Sequence, residues 1–70
     1  MTFIKESNGN WINSLYITEI LVVYINGMWS VHGRKSFKSL NDVVVFGDFK
    51  DKQEAIAKSN EIANKINSDK

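Results

Sequence analysis

The chain has 70 residues, of which 43% are apolar and 24% charged, and its formal net charge is +1 at pH 7. This length allows one small domain, and the composition is typical of a globular protein in water. With no cysteine and a single histidine, the chain lacks the residues for a disulfide framework, a thiolate metal cluster or most histidine-based catalytic sites. A charge so close to neutral does not indicate nucleic acid or an anionic membrane as the main partner.

The first elements are two strands on either side of a turn. A strand is predicted over residues 2–6, and Asn8-Gly9 indicates a turn before the segment that starts at Trp11. A long strand over residues 14–25 follows, because β-branched side chains are frequent there. This stretch contains Glu19 and is far shorter than the ~20 residues needed to span a bilayer.

Asn26-Gly27 is the strongest local signal in the chain. Both central residues of a type I′ turn need a positive φ, and this dipeptide adopts it at low cost. The turn therefore joins the strand over 14–25 to one predicted over 28–33. A two-residue loop also sets the register, with the cross-strand pairs Ile25–Met28, Tyr24–Trp29, Val23–Ser30 and Val22–Val31.

In the last third of the chain, the spacing of the apolar residues changes from that of a strand to that of a helix. A strand is predicted over 42–49, with a bulge at Gly47, and apolar residues then recur at spacings of three and four. This spacing predicts a helix over 51–67, with Asp51 as its N-cap. Together the elements predict a single α+β domain over residues 1–70, a three- to four-stranded antiparallel β-meander with one C-terminal α-helix packed on one face.

A single helix covers only one face of such a sheet. The bulkier set of alternate side chains is assigned to the helix side: Ile20, Val22, Tyr24, Trp29 and Val31. The other side presents Leu21, Val23, Ile25, Met28, Ser30 and His32. Either the N-terminal segment covers this second face with Phe3, Ile4, Trp11 and Ile12, or the face is an interaction surface. In the second case Leu21, Val23 and Ile25 are the candidate dimer face, since so small a domain gains stability from a partner chain.

The residues that catalysis needs are scarce. His32 has no serine or carboxylate at a spacing that would indicate a triad, and the glycine spacing matches no phosphate loop or dinucleotide fingerprint. The acidic residues near the helix start, Asp51 and Glu54, are explained by the helix dipole. We therefore expect no enzyme, no catalytic residue, no cofactor and no metal.

Residues 32–38 are predicted to form a basic loop, in which Arg34, Lys35 and Lys38 surround Phe37. One interpretation is that the loop contacts phosphates and stacks on single-stranded nucleic acid. The other, which we favour, is a solvated loop anchored by its phenylalanine, which would also serve as the polar rim of a protein interface.

Two resemblances extend this interpretation. The residues Val22-Val23-Tyr24, Met28-Trp29-Ser30-Val31, Val45-Phe46 and Phe49 to Ile56 resemble small bacterial hairpin-plus-helix domains, a resemblance that brings no activity with it. Lysine, asparagine and isoleucine occur 8 times each, and their codons are A/T-rich. In this respect, and in its small size and lack of cysteine, the chain resembles phage-encoded anti-defence proteins of the anti-CRISPR type. Such proteins block a host complex by binding it, and a net charge of +1 does not fit mimicry of DNA.

The leading hypothesis is therefore a small non-enzymatic protein, encoded by a phage or prophage, that binds and blocks a host defence or nucleic-acid-processing complex. The expected partner is a host protein or ribonucleoprotein, and no membrane is involved. The expected contact residues are Tyr24, Met28, Trp29, His32, Arg34, Lys35 and Phe37. The alternatives are a nucleic-acid-binding accessory module that uses the 32–38 loop, and a homodimeric structural protein. The N-terminal residues lack the apolar core of a signal peptide, so the expected location is the cytoplasm, that of the host cell for a phage protein.

Overall fold

The computed structural model describes residues 2–35 and 43–68. It shows an α+β fold with five strands in two antiparallel sheets and one C-terminal helix. In chain order the elements are β1 (Phe3–Lys5), β2 (Trp11–Asn13), a 3₁₀ turn (Ser14–Tyr16), β3 (Ile17–Ile25), β4 (Met28–Lys35), β5 (Val43–Phe49) and α1 (Lys52–Ser68). The main sheet is the meander β3-β4-β5, and α1 packs on it.

The β3–β4 hairpin has the register that the sequence predicts. Asn26 has φ 52° and Gly27 has φ 79°, the positive values of a type I′ turn. Tyr24 lies opposite Trp29, and the pairing continues to the far ends of both strands. β4 extends to Lys35, two residues beyond its predicted end.

The pairing of β4 with β5 contains the predicted bulge. Val31 lies opposite Gly47 whereas His32 lies opposite Val45, so Phe46 is an extra residue on β5. Phe46 packs over Gly33, where an added Cβ would lie 2.6 Å from a carbon of its ring. Gly33 therefore leaves the space that the phenylalanine occupies. The predicted start of this strand, Asp42, lies outside the described residues.

The N-terminal hairpin differs from its prediction in detail. β1 and β2 pair antiparallel, and the turn between them is closed by the side chain of Asn8, whose Oδ1 accepts a hydrogen bond from the Asn10 N–H at 3.0 Å. The strand predicted over residues 14–25 is wrong for its first three residues, which form the 3₁₀ turn. The side chain of Asn13 accepts a hydrogen bond from the Leu15 N–H at 3.0 Å, and this bond favours a turn over an extended chain.

The helix begins one residue after its predicted start. Asp51 is the N-cap, because its Oδ1 accepts a hydrogen bond from the Gln53 N–H at 3.1 Å. Ala55 and Ile62 on α1 are fully buried against the sheet. As described, the helix is neither long nor apolar enough to cross a membrane.

One buried hydrophobic cluster joins the main sheet, α1 and the N-terminal hairpin. It contains Ile4, Ile12, Ile17, Val31, Val44, Phe46, Ala55 and Ile62. Because Ile4 and Ile12 belong to the cluster that α1 covers, the N-terminal hairpin enlarges the helix-side core. The alternative that this segment covers the second face of the sheet is therefore wrong.

Candidate functional site

The side of the main sheet that faces away from α1 carries a second set of apolar side chains. Val22 and Val31 point to the helix, so alternate side chains on the same strands point the other way. We call this surface the open face. Its apolar members are Leu21, Val23, Ile25, Met28 and Val45.

The open face is partly accessible to solvent. Ile25 is 46% exposed, whereas Leu21, Val23 and Met28 are half-buried. Ser30, in the middle strand, is buried. A shallow groove of about 280 Å³ runs along this side, lined by Ile25, Asn26, Met28, Ser30, His32, Val45 and Asp48. A groove of this kind accommodates an apolar side chain with a polar contact at its edge.

Charged residues border the open face at both ends. At one end Arg34 Nε lies 3.3 Å from a carboxylate oxygen of Glu19 across the β3–β4 pair, and both side chains are at least half exposed. At the other end Asp48 lies opposite Ser30 and is exposed. An apolar centre with a charged rim is the usual arrangement of a protein-binding surface.

The residues expected to contact a partner fall on two sides of the sheet. Met28, His32 and Arg34 lie on the open face, whereas Tyr24 and Trp29 lie on the helix side. The expected set is therefore not one continuous surface.

Trp29 belongs to a small aromatic arrangement at the turn end of the helix side. Its ring centroid lies 4.9 Å from that of Tyr24, with the planes tilted by 54°. Lys52 Nζ lies 5.2 Å from the Trp29 centroid, so the first residue of α1 contacts the sheet through a cation–π interaction. These contacts assign Trp29 a packing role between hairpin and helix.

The predicted basic loop is wrong for Arg34 and Lys35, which belong to the strand before it, as His32 and Gly33 were predicted to do. His32 to Lys35 belong to β4, and their backbone pairs with β3 and β5. Arg34 is held by Glu19, and Lys35 lies opposite Ile17. Phe37 and the rest of the loop lie outside the described residues.

The N-terminal hairpin exposes two aromatic residues, which one of the two alternatives for the second face would have buried against the sheet. Phe3 is 52% and Trp11 is 60% exposed, and Lys5 Nζ lies 5.8 Å from the Trp11 centroid. Side chains alternate between the two sides of each short strand. Because Ile4 and Ile12 point inward, Phe3 and Trp11 beside them point to the solvent. Leu15 and Tyr16 in the 3₁₀ turn are also exposed.

The described titratable groups are dispersed rather than clustered for metal binding. Within residues 2–35 and 43–68, no group of three or more His, Cys, Asp or Glu side chains is placed to hold a metal ion. The pKa that clearly shifts is that of Glu61 on the outer face of α1, where the nearby Lys58 ammonium lowers it. Glu61 also contacts Lys65, at 3.5 Å.

No protein-family model, curated protein sequence or solved structure matches this chain.

Proposed function

We propose that the protein is a non-enzymatic protein-binding module that docks on another protein through the open face. The observation that carries the proposal is the apolar surface of Leu21, Val23, Ile25, Met28 and Val45, which lies on a sheet whose other side is already covered. Contiguous apolar patches are rare on monomeric proteins unless they bind something.

The character of the surface favours a protein partner over nucleic acid. Its centre is apolar, and the one arginine at its rim is already paired with Glu19 at 3.3 Å. Nucleic-acid sites use several uncompensated cations, which produce a steep dependence of affinity on salt. Affinity for a protein through the open face depends mainly on apolar burial and is therefore only weakly sensitive to salt.

In its biological setting, we propose that the module is encoded by a phage or prophage and blocks a host defence or nucleic-acid-processing complex by occupying a surface of it. The small size, the absence of cysteine and the A/T-rich codon usage implied by the composition support this origin. Steric blocking fits a net charge of +1 better than mimicry of an acidic nucleic acid does.

The test is site-specific photo-crosslinking in a nuclease-treated lysate of a bacterial host. A photoreactive amino acid at Val23 lies on the open face, and the same amino acid at Asn60 on the exposed side of α1 is the matched control. We expect one protein to be crosslinked at stoichiometric yield from Val23 and not from Asn60. Equal capture from both positions, or recovery of nucleic acid only, would refute the proposal.

A pair of variants adds an affinity measurement to this test. Val23→Asp places a charge among the apolar side chains of the open face, whereas Asn60→Asp adds the same charge on the exposed side of α1. The first change is expected to weaken binding of the captured protein at least tenfold, because a buried unpaired carboxylate is costly. The second is expected to leave binding unchanged.

A further inference from the structure

The outer edge of β3 has backbone groups that point away from the sheet. The strand order is β3-β4-β5, so β3 is an edge strand, and it is nine residues long. In a hairpin with a two-residue turn, the residues that flank the turn exchange hydrogen bonds, and the bonded pairs then alternate along the strands. The N–H and C=O groups of Ile25, Val23 and Leu21 therefore point to β4, and those of Tyr24, Val22 and Ile20 point outward.

The opposite edge of the sheet is occupied. On β5 the Val45 carbonyl accepts a hydrogen bond from the Ser7 N–H at 2.8 Å, so the N-terminal hairpin lies against that edge. Within the ranges that the structure describes, β3 pairs with β4 alone. Among the described residues, the β5 edge of the main sheet thus contacts the N-terminal hairpin, whereas no strand pairs with the β3 edge.

The β3 edge also lacks the features that normally prevent edge pairing. Natural edge strands carry charges, proline or strong bulges that discourage another strand. On β3 the one charged residue is Glu19, which is neutralised by Arg34, and the bulge lies between Ile17 and Glu19 at the far end. The six residues from Ile20 to Ile25 have no charge and no proline.

On the helix side, the same edge borders a groove of about 400 Å³ between β3 and the C-terminal half of α1. It is lined by Ile17, Thr18, Glu19, Ile20, Ala63, Ile66 and Asn67. Ile20 and Ile66 pack on the core cluster but remain partly exposed. A strand added to β3 would place its alternate side chains over this groove and bury them.

We propose that the occupant of this edge is β3 of a second copy of the chain, paired antiparallel about a two-fold axis. The edge requires an extended, uncharged segment with apolar side chains at alternate positions, and residues 20–25 have this character. Two-fold pairing satisfies both edges at once and closes the assembly. It forms a continuous six-stranded sheet with both helices on one side and both open faces on the other.

This inference does not depend on the proposed function. The first measurement combines sedimentation equilibrium with amide hydrogen exchange of the unmodified protein over a range of concentrations. We expect a mass of twice 8.0 kDa at high concentration and the monomer mass on dilution. The amides of Ile20, Val22 and Tyr24 are expected to be protected only in the dimer, whereas those of Leu21 and Val23 are protected in both states.

Two outcomes of that measurement would overturn the proposal. One is a mass of 8.0 kDa at every concentration, with rapid exchange at Ile20, Val22 and Tyr24. The other is a dimer in which these three amides still exchange rapidly, because such a dimer uses another surface, for example the open face.

Substitutions test the same contact with a matched control. Ile20→Lys places a charge at the β3 edge and is expected to abolish the dimer, whereas Val43→Lys places it on β5 and is expected to leave the dimer intact. Val45→Asp, which disrupts the open face on β5 and away from the β3 edge, is also expected to leave the dimer intact. Loss of the dimer in Val43→Lys or Val45→Asp, with the fold retained by circular dichroism, would contradict pairing through β3.

Discussion

The two faces of the main sheet are built from the same strands and yet have different surroundings. Val44 on the helix side is buried, whereas Val45, the next residue on the same strand and of the same type, is only partly buried on the open face. The difference lies in what covers each side chain. Residue type alone does not decide burial, and an apolar residue without a cover indicates a surface that a partner can use.

The two faces also differ in how closely they are packed. On the helix side Gly33 makes room for the ring of Phe46, and α1 and the N-terminal hairpin close the cluster. On the open face Ser30 and His32 separate the apolar side chains of the outer strands. The helix side therefore provides most of the stability of the fold, and the open face is the less closely packed of the two.

The largest expected difference between the faces is in the effect of truncating a side chain. Ile62→Ala removes a fully buried side chain and is expected to lower the free energy of unfolding by about 2–5 kcal/mol. Met28→Ala on the open face is expected to cost less than half as much, because Met28 is only partly buried. Urea unfolding followed by circular dichroism measures both, and equal losses would mean that the open face is covered in solution.

The next largest expected effect is the loss of stability when a methyl group is added to the packed helix side. Gly33→Ala places a methyl group 2.6 Å from the Phe46 ring and is expected to destabilise the fold by about 1–3 kcal/mol. Thermal unfolding of the single and double variants measures this cost. In a Phe46→Leu background the same change should cost less, since the smaller side chain leaves room. If the losses of stability in the two single variants add up to the loss in the double variant, the contact between position 33 and the Phe46 ring does not limit the packing.

Removing the N-cap of α1 is expected to lower the stability of the fold by a moderate amount. Asp51→Ala removes the side-chain hydrogen bond to the Gln53 N–H and should cost about 1 kcal/mol. Asp48→Ala, a few residues earlier on the rim of the open face, is the control and should change stability by about 0.5 kcal/mol or less. Chemical denaturation of both variants checks the difference, and an equal cost would remove Asp51 as the cap.

The smallest expected effect is on the outer surface of α1. Lys58 lowers the pKa of Glu61 in the folded state, so the ionised carboxylate stabilises the fold above its ordinary pKa. This contribution is lost as the pH falls from that value through the lowered one. Because the side chain is half exposed, Glu61→Gln should cost about 0.5 kcal/mol or less at neutral pH.

The direction of the Glu61 pKa shift is tested by comparing the free energy of unfolding of the wild type with that of Glu61→Gln, at neutral and acidic pH in low salt. The difference between the two proteins should shrink on acidification. A difference that grows instead would contradict the direction of the shift.

The parts of the fold that depend on local chemistry could be predicted from the sequence. The turn at Asn26-Gly27, the β3–β4 register and the cap at Asp51 each follow from a few adjacent residues. The 3₁₀ turn at Ser14–Tyr16 was not predicted, because it depends on a hydrogen bond that the Asn13 side chain accepts from the Leu15 N–H, in a sequence that otherwise favours a strand.

The candidate site could be predicted only in part. Alternation along β3 and β4 identified the two faces, because a two-residue turn fixes the register. The position of the N-terminal hairpin was not predictable, since it depends on long-range packing of Ile4 and Ile12 with the helix-side cluster. Which face that hairpin covers is a property of the assembled fold, and no local pattern encodes it.

The two tryptophans give the molecule a pair of optical probes with separate locations. Trp29 lies between the Tyr24 ring and the Lys52 ammonium, so its fluorescence changes when the helix leaves the sheet. Trp11 is 60% exposed on the N-terminal hairpin, and its emission is that of a solvated indole until something covers it. Single-tryptophan variants with phenylalanine at the other position therefore separate detachment of the helix from events on the N-terminal surface, without any added label.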